Sequence, residues 1–346
     1  MPGKILQYSG LITKTKAMHG RLLKNADFER LAETPNVSEA IAFLWKMEGY
    51  EAVLHGHDEV KHRGQAEAMI MTSLYSDFEK IFHFSNIEQK EVLNLIFLRY
   101  EADILKICLK YVCINEINDY EREIDWYFHK STSLDVAALK NAKDLDEFIF
   151  FLRGTPYEVI MQELRKNNIY RYGEIASAID TFYFTRVWKL ISRISDKKTK
   201  QMLRTIFGTQ IDWMNIMWIY RKKHFYKQHP GEIKIPIPIL YHVKKEELKE
   251  MIQAAKTEDL LKVITGTYYF KGNEALFKME DEISYYQIME KIYRQVGRKY
   301  PVSMAPVLKY LYDKEIEIER IITAIEGTRY ELPPKDIKKL ILILGE

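Results

Sequence analysis

The feature that most narrows what this chain can fold into is an internal repetition with a period close to 110 residues. Leu31-Ala32-Glu33, Ser38-Glu39-Ala40-Ile41-Ala42-Phe43-Leu44 and Gly49-Tyr50 are echoed by Leu139-Lys140-Asn141-Ala142, Leu145-Asp146-Glu147-Phe148 and Gly154-Thr155-Pro156-Tyr157. A third copy runs from Ile252-Gln253-Ala254-Ala255 through Thr257-Glu258-Asp259-Leu260-Leu261 to Gly266-Thr267-Tyr268. The closing tyrosines are 107 and 111 residues apart. A second match keeps the same phase and starts at Glu101, Asp212 and Glu317, which are 111 and 105 residues apart. One residue on come Ala102, Trp213 and Ile318; four on, Leu105, Ile216 and Ile321; eight on, Leu109, Tyr220 and Ile325. These positions form one apolar helix face with the acid at its edge. We therefore expect three helical repeats, spanning 1–122, 123–240 and 241–346.

Within the repeats the local pattern is helical. Leu93, Ile96, Phe97, Tyr100, Ile104, Ile107 and Cys108 recur at helix spacing, and only 15 glycines and 10 prolines interrupt the chain. Helix starts are signalled at Ser38-Glu39, Asp144-Leu145-Asp146-Glu147 and Thr257-Glu258-Asp259, where a capping residue or acidic first turn precedes an apolar run. In Ile233-Lys234-Ile235-Pro236-Ile237-Pro238-Ile239 the prolines forbid both a helix and a central strand, so an extended linker is expected. The fold class is all-α.

Charge and composition exclude several functions. The 52 Lys and Arg nearly cancel the 49 Asp and Glu, leaving +3 over 346 residues, which supplies no general field for a nucleic-acid backbone. No stretch longer than nine residues lacks Asp, Glu, Lys and Arg, whereas a membrane span needs roughly 20 mainly apolar residues. The opening residues carry no targeting signal, and a folded, soluble, cytoplasmic chain is expected. Cys108 and Cys113 are the two cysteines; both are expected to be small buried hydrophobes rather than a disulfide or zinc site.

Phosphate-loop, dinucleotide and nucleophile-elbow motifs are absent, so no catalytic residue and no cofactor is expected. His55-Gly56-His57-Asp58-Glu59 and His62 have ligand-type side chains, but His57 and His62 are five apart, which suits a solvated loop better than a metal site. Arg221-Lys222-Lys223-His224, Lys227 and His229, flanking Phe225 and Tyr226, form the most basic patch. It reads as cations complementing a helix C-terminus, or as a contact for phosphate or anionic lipid.

Four segments stand out: Ile12-Thr13-Lys14-Thr15-Lys16-Ala17-Met18 with Phe28-Glu29-Arg30-Leu31-Ala32, Arg99-Tyr100-Glu101, Ile211-Asp212-Trp213-Met214-Asn215-Ile216 with Tyr220-Arg221-Lys222-Lys223, and Tyr312-Asp313-Lys314-Glu315-Ile316-Glu317-Ile318. Together they resemble the C subunit of the bacterial and archaeal V-type (A-type) rotary ATPases, whose eukaryotic counterpart is the d subunit. Ile104 and Arg320 depart from the family pattern at positions where Asn215 keeps an amide. The resemblance implies a three-fold pseudosymmetric, funnel-shaped, non-catalytic component on the cytoplasmic face of the membrane. It would receive the central axle, made of the D and F subunits, and sit on the proteolipid rotor ring, coupling ATP chemistry to proton or sodium movement. Glu101, Asp212 and Glu317, with Arg221, would then be partner contacts. The alternative for the acids is a structural bond within each repeat, with Lys110 and Arg221, nine residues on, as nearby bases. A helical adaptor for an unrelated protein is the other reading of the whole chain.

Overall fold

A helix with a wide apolar face has to bury that face, and the longest helices of this chain do so while leaving charged residues such as Lys110 and Arg221 exposed. A computed structural model describes residues 2–54, 63–114, 132–272 and 283–345, and among the described residues the regular structure is entirely helical. It divides into two compact units, Met1–Pro156 with Val302–Glu346, and Tyr157–Pro301.

The first unit contains α1 (Pro2–His19), α2 (Asn25–Ala32), α3 (Val37–Trp45), α4 (Glu51–Leu54), α5 (Arg63–Phe84), α6 (Ile87–Ile114), α7 (Val136–Lys140), α8 (Leu145–Phe151), α15 (Ala305–Arg329) and α16 (Pro334–Gly345). Helix α15 is its spine and packs on α1, α2, α3, α5 and α16. Helix α6 packs on α7 and α8. The second unit contains α9 (Glu158–Lys166), α10 (Tyr172–Arg193), α11 (Lys197–His224), α12 (Lys245–Gln253), α13 (Thr257–Gly266) and α14 (Ile283–Lys299). Its spine is α11, against which α10, α12, α13 and α14 pack. Every residue from Ile206 to Trp213 is buried, the polar Thr209, Gln210 and Asp212 included.

The expected helix starts are present, with one shift of cap. Asp144 caps α8 through the N–H of Glu147 at 2.8 Å, and Thr257 opens α13 with Glu258 and Asp259 in its first turn. At α3 the cap is Asn36, whose side chain accepts from Glu39 at 2.9 Å, and Ser38 lies inside the helix. Residues 233–239 form neither helix nor strand, as the prolines require. Cys108 is buried, but Cys113 is exposed. Five residues turn a helix through about 140° beyond one full revolution, so the two thiols cannot share a face.

Two glycines allow close packing. A Cβ on Gly208 of α11 would stand 2.4 Å from the Tyr241 ring, and one on Gly327 of α15 would stand 2.7 Å from Ile337.

Candidate functional site

The three repeated acids stand near the middle of the three longest helices, α6, α11 and α15, and all are buried: Glu101 is 5%, Asp212 0% and Glu317 4% exposed. A carboxylate in such a place needs hydrogen-bond donors. Glu101 accepts the Thr132 hydroxyl at 2.5 Å, and Thr132 in turn accepts the N–H of Leu134 just ahead of α7. Asp212 accepts three successive backbone N–H groups just ahead of α12, from Tyr241 at 3.0 Å, His242 at 2.6 Å and Val243 at 3.0 Å, and the Tyr269 hydroxyl at 2.8 Å. Glu317 accepts the N–H of Leu23, just ahead of α2, at 3.0 Å, and pairs with the buried Lys314 at 3.2 Å. Each acid thus holds the chain where it approaches a short helix, and the third does so across 294 positions of sequence.

Burial raises the pKa of Asp212, opposed by its four donors. Burial likewise raises that of Glu317, opposed chiefly by the Lys314 ammonium. Burial, and then the charge of Asp212, pushes the Tyr269 hydroxyl far upward.

Neighbouring acids finish the same segments. Asp27 accepts the N–H of Lys24 at 2.9 Å and Glu247 that of Lys244 at 2.6 Å, so the N–H groups of Leu23 and Lys24 before α2, and of Tyr241 to Lys244 before α12, all meet a carboxylate. The third positions beyond the acids do unlike work. Asn215, fully buried, donates to the carbonyls of Ile237 at 3.0 Å and Ile239 at 3.3 Å and accepts the N–H of Ile237 at 3.1 Å, acting as a strand partner for the proline-rich linker. Arg320 stacks 3.7 Å from the Phe28 ring and donates to Asn25 at 3.1 Å, whereas Ile104 is plain core.

Arg221 and Lys110 are exposed. Nine residues are two and a half helical turns, so each points away from the acid it follows, and the partners of Asp212 are the four donors above rather than Arg221. Arg221 instead lines a groove of about 450 Å³ in the second unit, with Arg171, Glu174, Trp218, Lys222 and Tyr226. Lys223 turns inward and donates to the Ile252 carbonyl at 2.7 Å. His55, His57 and His62 lie outside the described residues; among those described, no cluster of His, Cys, Asp and Glu could hold a metal ion.

Sequence reasoning missed Thr132, Leu23 and Tyr269, whose spacing from the acids carries no local signal. Lys314 was findable, because a Lys three residues before a Glu shares its helix face.

The sequence model of the ATP synthase (C/AC39) subunit family matches residues 11–340. The chain is 23% identical to the A-type ATP synthase C subunit of Archaeoglobus fulgidus, over 99% of this chain and 98% of that protein. It is 25% identical to that of Thermococcus kodakarensis, over 98% and 91%, and 23% identical to that of Methanocaldococcus jannaschii, over 97% and 86%. Among the described residues no helix is long and apolar enough to cross a membrane. With a family match from residue 11 to residue 340, the chain belongs to the ATP synthase (C/AC39) subunit family.

Proposed function

We propose that this chain is the non-catalytic coupling component of a rotary ATPase, joining the central axle of D and F subunits to the proteolipid rotor ring at the cytoplasmic face of the membrane. The observation that carries the reading is the family match along almost the whole chain. The clamps made by Glu101, Asp212 and Glu317 supply a physical basis for it. A part that passes torque must resist shear between its helices, and close-packed interiors do so because they are hard to compress. A buried carboxylate at the centre of a long helix adds a directional bond that cannot slide without leaving donors unpaired.

Three repeats spanning 1–122, 123–240 and 241–346 belong to the same proposal. Helices α2 to α6 run short, short, short, long and longest, with 8, 9, 4, 22 and 28 residues. Helices α7 to α11 follow with 5, 7, 9, 22 and 28. A mass-spectrometric inventory of complexes that copurify with the chain from detergent-solubilised membranes tests the function. The expected result is the axle proteins and the proteolipid ring in fixed ratio to this chain, and their absence would overturn the proposal. An unrelated partner recovered in their place would select the adaptor reading.

A further inference from the structure

The groove in the second unit joins an apolar surface to three cationic side chains, Arg171, Arg221 and Lys222, and two carboxylates, Glu174 and Asp180. Its floor is Met214 and Trp218 of α11 with Pro236 and Ile237 of the linker. That floor is fixed, because Asn215 holds Ile237 on both sides and Thr181 donates to the Pro236 carbonyl at 3.2 Å. Arg171, ahead of α10, and Arg221 and Lys222, at the end of α11, stand around it. The Lys222 ammonium lies 4.7 Å from the Trp218 ring and 5.3 Å from that of Tyr226, which keeps its stem over the floor. From Trp213 to Gly231 the sequence has no Asp or Glu, and it includes Arg221, Lys222 and Lys227 besides the inward-turned Lys223. Phe225 and Tyr226 are 64% and 69% exposed, large for aromatic side chains.

We propose that this groove docks an acidic segment of a partner protein that carries an apolar or aromatic anchor. The anchor fills the floor, and its flanking carboxylates meet Arg171 and Lys222. Two features select a peptide over the other anionic ligands. The site is concave, and about 450 Å³ takes one or two side chains, not a flat headgroup surface. An apolar floor with three cations, two carboxylates and the exposed Tyr226 ring around it also has the make-up of a protein contact, with a desolvated centre and a polar rim.

The site deepens the coupling reading and rests on it, so the experiment separates the two. Tyr226 is replaced by the photoreactive residue benzoylphenylalanine in the full chain, and Val159, 70% exposed on α9, serves as the control position. Complexes purified from solubilised membranes are irradiated, and the attached peptides are sequenced. The expected product from position 226 is a peptide rich in Asp and Glu with an apolar anchor, from a protein held in fixed ratio. Its yield should fall about tenfold when Arg171→Glu and Lys222→Glu are combined, and only moderately with salt. Circular dichroism checks that the double variant is folded, and the single variant Lys222→Gln should give an intermediate loss. Attachment to lipid, attachment to a peptide without acidic character, a yield no higher than from position 159, or a yield indifferent to the charge reversals would each overturn the proposal. If the axle and ring are present and position 226 reacts with nothing, the groove inference fails and the coupling function stands. If an acidic peptide of another protein is captured with the same charge dependence and no rotary ATPase components are present, the reverse holds.

Discussion

Glu317 accepts the N–H of Leu23 at 3.0 Å, so a helix near the C-terminal end of the chain is bonded to the segment that leads into α2. The same carboxylate neutralises Lys314, which is 1% exposed. Removing one partner of such a pair leaves an uncompensated buried charge, at a cost of about 3–5 kcal/mol. Glu317→Gln should therefore lower the urea midpoint substantially. Adding Lys314→Met should recover much of the loss, and failure to recover would show that the bond to Leu23 dominates.

The three acids can be compared as a set. If they act as clamps, Glu101→Gln, Asp212→Asn and Glu317→Gln each lower the melting temperature while axle affinity per folded molecule stays unchanged. Asp212 and Glu317 accept through both oxygens, so their amides strand at least one donor, worth about 1–3 kcal/mol, whereas Glu101→Gln can keep the Thr132 bond and should cost least. Thermal melts run beside axle-binding titrations decide the matter. Unchanged melts with weakened binding would return the acids to the role of direct contacts.

Asp212 also predicts a pH dependence. Its pKa is raised by burial, so its protonated form is favoured in the folded state. The stability it contributes is fully present below the ordinary carboxylate value and is lost as pH rises through the folded value. Between pH of about 4 and about 7, the wild-type unfolding free energy should fall more steeply than that of Asp212→Asn. Urea titrations across that range check it, and a shallower wild-type slope would mean that the four donors outweigh burial.

Asn215 pins the linker through both polar groups of Ile237. Asn215→Leu should cost about 2–5 kcal/mol, since two backbone groups lose their partner in a buried site. The released segment should be cut faster by trypsin at the exposed Lys234, and equal cleavage rates would place its restraint elsewhere.

The cysteines offer a simple check on helix phase. One thiol per chain, Cys113, should react with iodoacetamide in the native protein, and both should react after denaturation. Neighbouring side chains desolvate the Cys113 sulfur and raise its pKa although the residue is exposed, so its alkylation should be slow near neutrality and accelerate with pH.

Local sequence was enough to place the helices, the broken linker at 233–239 and the buried face beside each acid. These depend on residues within a few turns of each other, and periodicity records such neighbours directly. What the acids hold emerged only on folding. Glu101 and Asp212 reach about 30 residues forward, and Glu317 reaches 294 residues back, with nothing in the local pattern to mark Thr132, His242 or Leu23 as partners. Arg221 shows the same divide from the other side. Its charge and its place at a helix end were legible, yet only the packing of α10 and the linker against α11 put it at a groove instead of beside Asp212. A side chain's type and helical phase follow from near neighbours, whereas its partner depends on which distant backbone groups folding leaves without water.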